Sequence, residues 1–240
     1  MTDLLKLSGV HTNIGRYHIL QGVNFAVAEG KTTMLLGRNG AGKTTTLRTI
    51  MGLWPPSRGQ IALAGQRIEQ MATPDIAQLG VGYVPESMAV FADLTVKENL
   101  ILAARDGPLD TARLEWIFGF FPALRKFWLS RAGLLSGGQK QMLSIARAIV
   151  EPRKLLLIDE PTKGLAPAII GSLIECFAEI KRRGATILLV EQNFHVAQMI
   201  GDAVLVMDNG MIVHRGEMAA LADDTPMQER LLGLSLEAHQ

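Results

Sequence analysis

The sequence predicts an α/β fold with a mostly parallel core sheet. Three aliphatic runs, TTMLL (32–36), KLLLID (154–159) and TILLV (186–190), lack polar alternation, as strands buried on both faces do. The first run leads into a glycine-rich loop, GRNGAGKT (37–44), and then into TTTLRTIMGL, whose apolar spacing suits a helix ending near Gly52. That is a strand–loop–helix unit.

The other elements follow in chain order. The N-terminal segment and residues 60–68 are strand-like and turn-rich and are assigned to an antiparallel β part of the core, while Trp54, Pro55 and Pro56 break the chain between them. Residues 87–133 change to helical spacing and collect the aromatics Phe91, Trp116, Phe118, Phe120, Phe121, Phe127 and Trp128. They are expected to form an inserted helical subdomain whose aromatics build a local core, leaving 1–86 and 134–240 as the main body. Thr95 followed by Glu98 is a capping-box pattern that starts a helix at Val96. Near the end, Val204 to Met207, Asp208-Asn209-Gly210 and Met211 to Val213 spell a hairpin.

Composition narrows the function classes. The 240 residues are 48% hydrophobic and 20% charged, enough apolar material for a substantial core. With Lys+Arg 24 against Asp+Glu 23, the chain lacks the basic surplus that binding to nucleic-acid backbones requires, so nucleic acid is not an expected partner. Cys176 is the only cysteine, which excludes an intramolecular disulfide and a Cys-based zinc site. The N-terminus carries an acid where a signal peptide carries basic residues, and no aliphatic run approaches the ~18 residues of a membrane span. A membrane role is then expected to come through a partner.

The glycine loop carries the first chemistry. Across Gly37, Arg38, Asn39, Gly40, Ala41, Gly42, Lys43 and Thr44, the glycines let successive backbone N–H groups curl around an anion at a helix N-terminus, where the helix dipole adds to the attraction. Lys43 is placed to reach β- and γ-phosphates, the Thr44 hydroxyl to ligate Mg²⁺, and Thr45 to contact phosphate through its own N–H. Asp159 closes a hydrophobic strand at the edge where open α/β sheets bind ligands, and Glu160 follows directly. Asp159 is expected to hold the Mg²⁺ shell and Glu160 to polarise the attacking water as general base. In LSGGQKQMLSIARAIV (135–150), Ser136 stands near the start of a helix whose apolar positions Met142, Ile145, Ala146 and Ile149 keep helical spacing. Ser136, Gly137, Gly138 and Gln139 therefore offer N–H groups and a hydroxyl suited to a γ-phosphate.

LSGGQ (135–139), downstream of GRNGAGKT, resembles an ATP-binding cassette (ABC) ATPase, and the resemblance covers essentially the whole chain. YVPES (83–87), FADLTVKENL (91–100), DEPTKGLAP (159–167) and LLVEQN (188–193) are similar to the second ATP-binding subunit of bacterial branched-chain amino acid importers. The resemblance implies a P-loop ATPase using ATP and Mg²⁺, seated peripherally at the cytoplasmic face of the inner membrane. Its signature segment would face the nucleotide held by another ATPase subunit, a paralogue or a second copy, in a sandwich dimer. Integral membrane permease subunits, and indirectly an extracytoplasmic solute-binding protein, would complete an importer of branched-chain or other amino acids. Urea or short amides as cargo, and a soluble ABC ATPase without transport, stay open. A guanine-binding NKxD motif is absent from the sequence.

Four positions depart from the family pattern. Glu86 stands where most cassettes carry a glutamine that touches Mg²⁺ and water, a substitution this subfamily often shares. Gln192 replaces the switch histidine at the γ-phosphate, with His195 three residues on. Ile14, before Gly15, occupies the place of the aromatic that stacks on adenine, and Tyr17 or His18 are alternative platforms. Lys163-Gly164-Leu165-Ala166 lacks the usual terminal aspartate of the loop after the catalytic acid.

Overall fold

The computed structural model describes residues 2–104 and 107–233. Strands β1 (Asp3–Ile14) and β2 (Tyr17–Ala28) form a long antiparallel hairpin, and β1 also pairs with β4 (Arg58–Leu63), which carries the short β5 (Gln66–Arg67). This is the antiparallel part expected from the N-terminal segment.

The second sheet has the order β10-β9-β3-β8-β7-β6, built from β3 (Thr32–Leu36), β6 (Val81–Val84), β7 (Leu155–Asp159), β8 (Thr186–Val190), β9 (Ala203–Asp208) and β10 (Met211–Glu217). All its pairings are parallel except that of the β9–β10 hairpin. Every residue of β3, β7 and β8 is buried. Met34, Leu36, Leu156, Ile158, Ile187 and Leu189 join the core on one face, whereas Leu35, Leu155, Leu157, Leu188 and Val190 join the core on the other. Each strand thus feeds two cores by its period of two, which is why no polar alternation shows. The β9–β10 turn is made by Asn209 (φ 46°) and Gly210 (φ 75°), both left-handed as this two-residue hairpin requires.

The helices are α1 (Lys43–Ile50), α2 (Thr73–Gln78), α3 (Val96–Ile101), α4 (Thr111–Phe120), α5 (Pro122–Lys126), α6 (Gly137–Ile149), α7 (Pro167–Arg182), α8 (Phe194–Ile200), α9 (Met218–Ala222) and α10 (Thr225–Leu232). Thr95 caps α3 through the full box with Glu98. Phe118 and Phe121 are buried, Phe118 packs edge-on to Trp128 at 5.4 Å, and Trp116 packs edge-on to Phe120 at 5.5 Å, so most of the aromatics form the expected local core. Phe91 does not: it is 48% exposed, with the Arg147 guanidinium 4.7 Å from its ring.

This topology sets the site. The parallel strands β3, β8, β7 and β6 end on one edge of the sheet, and their C-terminal ends deliver Gly37, Glu191, Asp159 and Pro85 in turn. Every sequence candidate on a strand-end loop is therefore brought to that edge.

Candidate active site

The glycine loop wraps around its own lysine. Lys43 is buried, and its Nζ donates to the carbonyls of Gly37 (2.8 Å) and Arg38 (3.2 Å) while lying 3.8 Å from Glu160 Oε1. Burial lowers the ammonium pKa from its ordinary value, against Glu160, Asp159 and Glu86, which raise it. Gly37 sits at φ 144°, and a Cβ there would meet the Met207 carbonyl oxygen at 2.2 Å, so only glycine lets β3 turn into the loop beside β9. Gly42 is the N-cap of α1 and supplies no side-chain acceptor, leaving the helix N-terminus open to an anion. Asn39, Gly40, Gly42, Lys43, Thr44, Thr45, Glu86, Glu160, Lys163 and Ile19 line a cleft of about 340 Å³ at this point.

Asp159 lies beneath the cleft, fully buried, and accepts from the Thr44 hydroxyl at 3.2 Å through Oδ1. Its Oδ2 is buried with no partner. Burial pushes its pKa up to about 6, with Thr44 pulling down and Glu160 and Glu86 pushing up. An unpartnered carboxylate oxygen, next to the Thr44 hydroxyl that bonds the other oxygen of the same carboxylate, fits one side of a divalent-cation shell. Among the described residues no group of three or more His, Cys, Asp or Glu could hold a metal ion. Thr44 Oγ1 and Asp159 Oδ2 are oxygen donors of the kind that Mg²⁺ takes when water and phosphate oxygens complete its shell.

Glu160 follows at φ 45°, a strained conformation for a residue with a side chain, and its N–H donates to the Val190 carbonyl at 2.9 Å. Strand β8 then supplies Glu191, whose buried carboxylate accepts from the Thr162 hydroxyl and N–H on one oxygen and from the Gln192 and Asn193 N–H groups on the other. Two loops at the edge are tied together by this one side chain. Gln192 Nε2 donates to Asn39 Oδ1 (2.8 Å) and Glu160 Oε1 (2.5 Å), so it ties the phosphate loop to the acid. Both hydrogens of its amide are thereby committed. His195 is exposed on the first turn of α8.

Glu86 is not a free loop acid. Its Oε1 accepts from Lys163 Nζ at 2.7 Å, and Lys163 also lies 3.6 Å from Glu160 Oε2. Sequence reasoning assigned Lys163 no role, although its position three residues after Glu160 was a usable signal. Ile14 ends β1 at the hairpin turn, where Tyr17 is 64% exposed with the Arg16 guanidinium 5.7 Å from its ring. His18 is drawn away to His11, with ring nitrogens 3.0 Å apart. Ser136 caps α6 by a reciprocal box with Gln139, and residues 136–139 line no part of the cleft around Lys43.

A strand-ended glycine loop, a buried lysine and an acid pair at the end of a second parallel strand, β7, one strand removed from β3, define a P-loop nucleotide hydrolase. Residues 20–163 match the ABC transporter family, and the chain belongs to that family as a transporter ATPase that binds nucleotide. It is 36% identical over 232 residues to the high-affinity branched-chain amino acid transport ATP-binding protein BraG of Pseudomonas aeruginosa, covering 96% of this chain and 100% of the relative. It is 32% identical to the probable branched-chain amino acid transport ATP-binding protein LivF of Archaeoglobus fulgidus, covering 96% and 99%. A solved structure of an ATP-binding subunit of an ABC transporter superposes with a TM-score of 0.82 at 32% identity, over 97% of this chain and 96% of that one.

Proposed function

We infer that this chain hydrolyses MgATP to power the import of branched-chain or other amino acids, working as a peripheral subunit on the cytoplasmic face of the membrane. One observation carries the chemistry: Lys43, Thr44, Asp159 and Glu160 converge at one sheet edge with Asp159 Oδ2 unpartnered. The N–H groups of Gly37 to Thr45 and the Lys43 ammonium cradle the polyphosphate, and Ile14 packs on adenine. Thr44 Oγ1 and Asp159, approached by Glu86, would hold Mg²⁺, whose charge offsets that of the β- and γ-phosphates. Glu160 accepts a proton from the attacking water, and the Gln192 amide holds its carboxylate in place. Ser136 to Gln139 serve the nucleotide of another ATPase subunit.

The cargo reading rests on end-to-end similarity to amino-acid transport subunits. Among the described residues no helix is long and apolar enough to cross a membrane; in this reading integral membrane permease subunits supply the path. A groove of about 630 Å³ between α1, β6 and α6, with Trp54, Tyr83, Met88, Arg48 and Arg147 in its walls, supports docking of a permease segment. Residues 87–133 would act as the helical unit that moves against the core.

Replacing Glu160 with Gln tests the chemistry. Turnover should fall about 10²–10⁴-fold, the usual worth of a general base, while nucleotide binding persists. Unchanged hydrolysis in the assembled transporter would remove Glu160 from its role. Stimulation of the reconstituted complex by leucine with its binding protein, and not by urea, would support the cargo.

A further inference from the structure

The cleft has an uneven distribution of charge. Glu86 and Glu160 line it and Asp159 lies beneath, against the two ammoniums Lys43 and Lys163. Lys43 already gives two N–H groups to loop carbonyls, and Gln192 has both amide hydrogens committed to Asn39 and Glu160. The Gln192 amide therefore has no hydrogen left for a further anion, and Lys43 keeps one N–H beyond its two loop carbonyls, with Glu160 Oε1 3.8 Å away. Lys163 differs. Its side chain is 63% exposed, and its closest partner, Glu86, is itself exposed; ion pairs of that kind contribute little and exchange readily. Its backbone is held by a turn in which Lys163 N–H reaches the Glu160 carbonyl at 3.4 Å and Leu165 N–H the Thr162 carbonyl at 3.2 Å. The stem is thus anchored while the ammonium, with three donors on a four-carbon chain, can swing. It meets Glu160 from the Oε2 side, whereas Lys43 and Gln192 occupy the Oε1 side.

From this arrangement we propose that Lys163 is a second phosphate-binding cation of the cleft, moving from Glu86 to the outermost phosphate of ATP and supplying the positive charge that Gln192 cannot. The proposal rests on the ATPase reading above. A polyphosphate entering beside Glu86 and Glu160 brings like charge to both, and Lys163 is the ammonium nearest the open side of Glu160. Lys43, anchored to the loop carbonyls, serves the inner phosphates.

The test compares binding of a fluorescent non-hydrolysable ATP analogue and of fluorescent ADP to the purified full-length chain with Mg²⁺. Lys163→Met should lower the preference for the triphosphate about tenfold, with ADP affinity unchanged as a check on folding. Lys163→Arg should retain the preference. The same loss should appear in a Glu86→Gln background, because the contact is to phosphate and not to Glu86. An unmoved ratio, an equal loss for both nucleotides, or a loss that disappears with Glu86→Gln would overturn the proposal and leave Lys163 as a structural partner of Glu86. A wild-type chain that bound neither nucleotide would instead bring down the ATPase reading, and this proposal with it.

Discussion

Asp159 shows what a metal-ready site does to stability. Its folded pKa of about 6 lies above the ordinary value of 3.8 because burial disfavours the charged form. The folded chain therefore holds this proton more tightly than the unfolded chain. Ionised Asp159 destabilises the fold above about pH 6, and the effect fades as pH falls toward 3.8. In the metal-free chain, Asp159→Asn should raise stability at pH 8 by roughly 1–3 kcal/mol, several degrees in melting temperature for a domain of this size. At pH 4 the difference should be close to nil. Melting curves in chelator at both pH values check this, and a variant that melts no higher than the parent at pH 8 would contradict it. Residues such as Lys43, Thr44, Asp159 and Glu160 were legible in the sequence because their chemistry is written into local strings. The Lys163–Glu86 pair spans 77 positions and the Gln192–Asn39 pair 153, and only the shared sheet edge brings them together.

At the scale of elements, α6 joins stability to function at one residue. Ser136 Oγ accepts from Gln139 N–H at 3.3 Å, and Gln139 Oε1 accepts from Ser136 N–H at 2.9 Å. Ser136→Ala should cost about 1 kcal/mol, the usual worth of an N-cap, and lower the melting temperature by about 2–4 °C. Ser136→Asp keeps a capping oxygen, so its melting temperature should match the parent, while its charge repels a phosphate presented by another subunit. Thermal melts and ATP-dependent association separate the two effects. An Asp variant that associates normally would show that this terminus meets no phosphate. Strands β3, β7 and β8 could be read in advance because burial on both faces removes polar residues altogether. Strand β6 could not, since VGYV is short and contains glycine, and its extension is imposed by pairing with β7. Phe91 was misread because aromatic content alone does not reveal that Arg147, not a packed neighbour, covers its ring.

For the whole molecule, the N-termini of α1 and α6 lie on different parts of the surface: α1 opens into the cleft around Lys43, and residues 136–139 do not line it. On the function proposed above, one chain carries half of each of two sites, and in a dimer of two copies a closed site would take the loop of one and the capped α6 of the other. Trans-complementation follows from that geometry. Lys43→Ala removes the loop cation and Ser136→Asp disables the signature terminus, so a dimer of either variant has both of its sites damaged. A mixed dimer unites the intact loop of the Ser136→Asp chain with the intact α6 of the Lys43→Ala chain, which restores one whole site and damages the other twice. Equal mixing should recover up to half the ATPase activity per mixed dimer, or about a quarter of the wild-type rate with random pairing, where each variant alone gives almost none. The rate should rise with total protein concentration, since association is required. Activity in either variant alone would place a complete site within one chain. An inert mixture at concentrations where the wild type is active would mean that residues 136–139 do not complete a second copy's site.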